Sequence, residues 1–372
     1  MFGSRMIALG AAAVAALASL RCASGGLLVA PSVSESLNDA RAQLAADTND
    51  PVAYYNVAMA YWSKRRYDQA DSSLRRAVAL DPEFALAHLA DALVQLPNKA
   101  HWEALKRAGG DTAVVQELRA RGREYSRAFL IDPFVDVRAV GLVPTTYANA
   151  YAQLSLEMAY IRDHFGRPLD SMPRVLVWAH AIAAEHSNHL SDAIADVQSL
   201  GRVSRRRDES EFLSAAPLET NEYLYMLAAL LQRAGYAADA AKLYQSVAAG
   251  DLGNYEVHVQ LARIYEGQHD WGHALQESRA AVALYPENHR LVMDLGLAEY
   301  HAGVLPDAEA TLRDARDAAP QDFVVAYWLG EVQRARQEKA DARATLETYL
   351  RLAPSRDSVE VAQVRAQLHD LQ

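Results

Sequence analysis

Three prolines near the C-terminal end of the chain stand at an even step. Pro286, Pro320 and Pro354 are separated by 34 residues each time. The residues behind each proline recur with it. Leu261-Ala262, Tyr265, Ala274 and Ala281 precede Pro286; Leu295-Gly296, Ala308, Leu312 and Ala315 precede Pro320; Leu329-Gly330, Ala342 and Leu346 precede Pro354. A fixed period of this length marks one supersecondary unit that is repeated and stacked.

Each unit reads as two amphipathic helices joined by a tight turn. In residues 255–288, Val259, Leu261, Ala262 and Tyr265 fall at helical spacing. Gly267 and the polar run Gln268-His269-Asp270 break that helix, and Ala274, Ala281 and Val282 mark a second. Pro286 ends it, because proline has no amide donor and restricts the residue before it. Small residues at Ala262, Ala274, Gly296 and Ala308 suit close helix crossings, where overpacking typically costs about 1–3 kcal/mol. One such pair cannot bury its own apolar face, but stacked neighbours can.

This pattern resembles the tetratricopeptide repeat family, whose signature is W-x2-L-G-x2-Y, then A-x3-F, then P over 34 residues. The first copy runs from Pro51 to Phe84 through Tyr54, Val57-Ala58, Tyr61, Ala70, Leu74, Ala77 and Asp81-Pro82. Another runs from Asn221 to Asn254 through Leu227-Ala228, Gly235-Tyr236, Ala240 and Tyr244, with Leu252 in the proline's place. The signature tryptophan is substituted in every copy. Four copies keep continuous phase from Asn221 to Arg356. The resemblance implies an all-α, right-handed superhelical solenoid with an irregular helical insert in the middle.

The expected organisation follows the chain. Residues 1–22 form a leader, 23–50 a tether and an N-terminal helix from Ser34 to Ala46, and 51–134 repeats with an insert. Residues 85–134 read as a repeat with a loop and a short helix, Ala100 to Ala108, inserted between its halves; Gly109-Gly110 close that helix, and a longer one runs from Asp111 to about Ile131. Residues 135–220 are irregular, with a degenerate repeat over 174–207 marked by Ala181, Ala193 and Val197. Residues 221–356 hold four repeats, and 357–372 a capping helix whose Val361, Val364, Leu368 and Leu371 face inward. Inserts in such arrays usually map to loops on one face, often the binding face, so residues 85–217 are expected to shape specificity.

In the leader, Ile7 to Leu20 is an unbroken run of apolar and small residues, shorter than the roughly 20 that span a membrane as a helix. Ala16-Leu17-Ala18 offers a site for cleavage. Cys22, the one cysteine, is followed by Ala23-Ser24-Gly25-Gly26 and resembles the lipidated cysteine of a bacterial lipoprotein, although Arg21 stands where a small residue is usual. The expectation is export to the periplasm, with membrane attachment through a lipidated Cys22 and plain secretion as the runner-up. A single cysteine excludes an internal disulfide framework and any CxxC site.

The formal net charge of −10 argues against nucleic-acid binding, which calls for a basic stripe. The short basic run Arg202 to Arg207 is flanked by Asp208, Glu209 and Glu211 and reads as a solvated loop. The sequence holds no GxSxG elbow, no GxxxxGK[ST] loop, no GxGxxG fingerprint and no HExxH motif. One cluster invites a metal-binding or enzymatic alternative: His180, Glu185, His186, His189 and Asp192. His186 and His189 share a helix face, but His180 lies about 240° away around the helix. The expectation is a chain that is not an enzyme and needs no metal or cofactor.

The expected partner is a protein or peptide. In the family the first helix of each pair lines the groove. Carried over by phase, the resemblance implies Tyr55, Met59 and Trp62 in the first copy, then Tyr225, Gln232 and Arg233, then Arg263 and Glu266. Met293, Leu297 and Tyr300 follow, and Tyr327, Glu331 and Arg334 complete the set. Aromatic and arginine side chains are favoured interface anchors. A narrower expectation, by likeness to lipid-anchored tetratricopeptide pilotins, is a role in assembling an envelope complex.

Overall fold

A computed structural model describes residues 37–135, 144–166, 168–169, 172, 174–203, 220–353 and 359–371. The leader with Cys22, Ser34, Pro354, most of 135–146 and most of 203–219 lie outside these. The described residues form helices and no strand. In chain order the helices are α1 (Leu37–Ala46), α2 (Pro51–Ser63), α3 (Tyr67–Leu80), α4 (Ala85–Val94), α5 (Lys99–Ile131), α6 (Pro144–Phe165), α7 (Arg174–His186), α8 (Leu190–Val203) and α9 (Thr220–Arg233). They continue as α10 (Ala237–Gly250), α11 (Tyr255–Gly267), α12 (Trp271–Leu284), α13 (His289–His301), α14 (Leu305–Ala318), α15 (Phe323–Ala335), α16 (Lys339–Leu352) and α17 (Val359–Asp370).

The chain divides into two compact units. One comprises Met1–Ser36, Ala58–Leu74 and Ala85–Leu252; the other comprises Leu37–Val57, Arg75–Phe84 and Gly253–Gln372.

In the second unit, α11 pairs with α12, α13 with α14 and α15 with α16, and each pair packs on the next in chain order. The 34-residue period is written into the backbone at both ends of the first helices. Asn254, Asn288 and Asp322 cap α11, α13 and α15, each side chain accepting from a backbone amide in the first turn. At the other end His269, Gly303 and Gln337 take positive φ angles of 58°, 79° and 65°, one per turn. Gly235 holds the matching place after α9, at 86°. That left-handed step turns the chain back onto its own pair.

Close crossings lie where the small residues predicted them. A Cβ on Gly296 would stand 2.6 Å from Leu312 Cγ, and one on Gly330 2.5 Å from Leu346 Cδ2. Ala274, Ala308 and Ala342 are fully buried at the partner positions. Leu312 and Ala315 form one core with Met293, Val325, Leu329 and Val332, so residues of two successive pairs share an interior. Val361 and Val364 of α17 close the last core with Leu346 and Tyr349, and Leu368 and Leu371 pack beside them. Glu309 is buried between α14 and α15, where Arg313 and Arg336 pair with it.

In the first unit, α4 packs on α5, and α6 through α10 pack in succession. Gly109 and Gly110 are non-helical, so α5 is two helices meeting at a kink, as their sequence predicts. The degenerate repeat is formed by α7 and α8, and Ala181, Ala193 and Val197 are fully buried in its core. Arg121 of α5 is buried and bonded at once to Asp71 (2.6 Å), Asp91 (3.0 Å) and Glu117 (2.8 Å). His88 and Glu124 meet at 2.6 Å beside it. This polar network ties the inserted helix to α3 and α4.

Candidate functional site

The residues expected to line a groove occupy different environments. In the first unit, Met59 is buried, and Trp62 packs on the cluster of Leu89, Ala92, Leu93 and Ala128. Tyr225 is buried against Tyr244, and its hydroxyl donates to the Leu130 carbonyl. Arg233 reaches the buried Glu185 with its guanidinium half exposed. In the second unit, Tyr55 is buried against Phe84, where burial pushes its phenol pKa up. Met293 is part of the core. Arg263 and Arg334 are half exposed, while Tyr300 and Tyr327 are partly buried.

Around Tyr300 and Tyr327 the second unit builds a continuous run of rings. Trp271, at the start of α12, stacks on His301 at 4.5 Å and 16°. His301 meets the edge of Trp328 at 6.2 Å, Tyr300 meets Trp328 at 6.2 Å, and Tyr327 meets Trp328 at 5.2 Å. His301 is exposed, and the two tryptophans and both tyrosines are only partly buried. Partial desolvation draws the His301 imidazole pKa down, which favours the neutral ring. Arg334 extends the run, held by Glu331 at 2.6 Å. Rings with one face covered and the other wet are the kind that anchor a partner segment. Trp271, His301 and Trp328 are not among the residues to which the sequence pattern points. Trp328 lies outside the family's tryptophan position, and Trp271 sits on a second helix.

The second unit also holds a cavity of about 150 Å³, lined by Val259, Ala262, Arg263, Glu266, Ser278, Ala281, Leu291 and Asp294. Its volume is below the roughly 300–1,000 Å³ of small-molecule sites. Its charged lining residues are Arg263, Glu266 and Asp294, and Glu256 neighbours Arg263 without lining it. Glu256, the second residue of α11, has no exposed surface; its Oε1 accepts from Gln260 at 2.7 Å and lies 3.9 Å from Arg263. Burial, then the neighbouring Glu83, hold the Glu256 carboxyl well above its usual pKa. Glu83 belongs to the turn after α3 and accepts from the Asn288 amide at 2.7 Å. Asp294 is pushed up to about 7, chiefly by desolvation. Burial also raises Glu266, which Arg263 partly offsets.

The histidine cluster of the first unit is arranged otherwise. His180 Nδ1 faces Asp196 at 2.6 Å and His180 Nε2 faces Ser155 at 2.9 Å. Those are the spacings of a hydrolytic triad. Ser155, however, stands inside α6 and donates to the Tyr151 carbonyl at 2.7 Å. Its neighbouring amides are held in helix hydrogen bonds, so no pair of donors is left to stabilise an oxyanion. His186 stacks on Tyr147 at 4.3 Å and His189 on Tyr151 at 4.0 Å. Among the described residues no three His, Cys, Asp or Glu side chains converge at metal-binding spacing. The metal-binding or enzymatic alternative at His180–His189 therefore finds no support. The cluster is a polar seam joining α6, α7 and α8.

Comparison with known proteins bears on the repeats. Tetratricopeptide repeat models match residues 51–84, 259–323 and 305–357. The matched segments carry the tetratricopeptide pattern. No curated protein matches the chain. Similar solved structures include MamA 41-end from Desulfovibrio magneticus RS-1, at 18% identity over 50% of this chain and 97% of that one, TM-score 0.43. YrrB, a tetratricopeptide protein with an unusual peptide-binding site, is 13% identical over 52% of this chain and 92% of its own, TM-score 0.43. TTC0263 from Thermus thermophilus is 16% identical over 54% of this chain and 98% of its own, TM-score 0.36.

Proposed function

We propose that this tetratricopeptide chain is a non-catalytic scaffold that binds a protein or peptide segment along the first-helix face of Gly253–Gln372. Arrays of this kind use their extended inner surface for binding. The observation that carries the reading is the ring run Trp271, His301, Trp328, Tyr300 and Tyr327, which stays partly uncovered while Leu312, Leu329 and Leu346 nearby are fully buried. Rings that served packing alone would be covered like those leucines.

Retention of randomised nonapeptide pools on the immobilised full chain tests this. Trp328→Ala and Tyr300→Ala are expected to lose most retained peptide, whereas Arg343→Ala, on the exposed side of α16, is expected to retain it. Truncating an anchor of this kind costs on the order of 2 kcal/mol or more, roughly thirtyfold in affinity. Equal retention by all three variants would refute the face.

The proposal includes an exported protein, tethered through a lipidated Cys22 and serving an envelope assembly. Its support is the residue pattern of 1–26 alone. Mass spectrometry of the mature N-terminus separates the alternatives: an acylated Cys22 supports the tether, and an unmodified Ser19 start excludes it.

A further inference from the structure

We propose that the cavity between α11 and α13 receives a lysine or arginine side chain of the bound segment, at a place now neighboured by the chain's own Glu83. This deepens, and rests on, the peptide-binding reading above.

Acceptors crowd this site. Ionised carboxylates only accept, and Glu83, Glu256, Glu266 and Asp294 bring four carboxyl groups to one small region. Gln260 serves Glu256, Asn288 serves Glu83, Arg263 lies at 3.9 Å from Glu256, and the Ser278 hydroxyl is on the cavity wall. Arg290 is turned to Asp322 at 3.4 Å. The result is two buried oxygens, Glu256 Oε2 and Glu83 Oε2, with no hydrogen-bond partner among the described residues. Glu256 has no exposed surface, so no surface water reaches it directly. Asp294 lines the same cavity, and both Arg263 and Arg290 act on it through space.

An unsatisfied buried acceptor is costly, and more so when charged. Two groups could relieve it. A shared proton on the Glu83–Glu256 pair is one. A cation is the other, and an ammonium or guanidinium supplies three to five donors. The cavity's size selects a single side chain, and its walls have the matching chemistry: Val259, Ala262, Ala281 and Leu291 are apolar and suit a methylene stem, and Glu266 and Asp294 add carboxyls. A divalent metal does not fit, since the described residues hold no group of three ligands at the required spacing. Glu83 is thus a mismatched neighbour, an acid beside acids, and a basic ligand would turn that repulsion into pairing.

The test uses four nonapeptide pools on the full chain, each fixed at the centre as Lys, Arg, norleucine or Glu and randomised elsewhere. The Lys and Arg pools are expected to be retained at least about tenfold better than the norleucine and Glu pools, the ratio a charge-assisted hydrogen bond gives. Asp294→Asn should remove most of that preference, and Glu83→Ala should weaken retention of the Lys pool. The Lys preference should grow between pH 6 and pH 8 as Asp294 ionises, among Arg263 and Glu266 of α11, Glu83 of the turn after α3, and Arg290 of its own helix. Circular dichroism confirms that each variant is folded. If the pools bind alike and all are lost in Trp328→Ala, the peptide-binding face stands and the cation pocket is refuted, leaving a shared proton only. If no pool binds, both readings fall. A Lys preference untouched by Asp294→Asn also overturns the assignment.

Discussion

Arg121→Ala is expected to destabilise the unit of Ala85–Leu252 by about 3–5 kcal/mol. The guanidinium sits 4% exposed among Asp71, Asp91 and Glu117, and also donates to the Asp91 carbonyl at 2.6 Å. Its removal strands three carboxylates in a poorly solvated place. The same reasoning gives a second result that simple loss of packing would not. Replacing Asp71 and Asp91 by Asn and Glu117 by Gln along with Arg121→Met should recover a large part of the loss, because the charges leave together. Urea unfolding followed by circular dichroism at neutral pH reads both. A single variant within about 1 kcal/mol of the parent would show that the network carries little.

Leu312→Ala is expected to cost about 2–5 kcal/mol, the range for a large-to-small change at a site that cannot collapse. Leu312 is fully buried and sits under Gly296 on one side and among Ala308, Ala315, Val325 and Leu329 on the others. In a stacked array, stability is close to a sum of unit and neighbour terms. Amide exchange should therefore lose protection over α13 to α15 and keep it over α7 and α8. A uniform loss across both regions would mean that the chain unfolds as one cooperative body.

Much of this was legible in the sequence because the period fixes local geometry. Pro286 and Pro320 mark repeat boundaries, and Gly296 faces Leu312 as a small residue at a crossing should. The Gly109-Gly110 kink and the degenerate pair of α7 and α8 followed from the same rules. Depth was not legible. Helical phase tells which face Met293 and Tyr225 occupy, but not that Met293 lies under Val325 and Leu329 or that Tyr225 donates to Leu130. Trp62 packs on Leu89, Ala92 and Leu93 of α4 and Ala128 of α5, a set of contacts that no repeat pattern encodes. Trp271 begins the second helix of one pair and His301 ends the first helix of the next, so no short motif names them together. The meeting of Glu83 with Glu256 depends on contacts between segments distant in the chain, and periodicity is silent about those.

The most direct measurement is site-specific photo-cross-linking in cells that express the full chain, with benzoylphenylalanine placed in turn at Tyr300, Tyr327, Ala310 and Arg343. Ala310 and Arg343 are exposed on second helices, α14 and α16. Discrete adducts from Tyr300 and Tyr327, lost when Trp328→Ala is added, and none from Ala310 or Arg343, are the expected result. Adducts confined to Ala310 or Arg343 would contradict a binding face on the first helices.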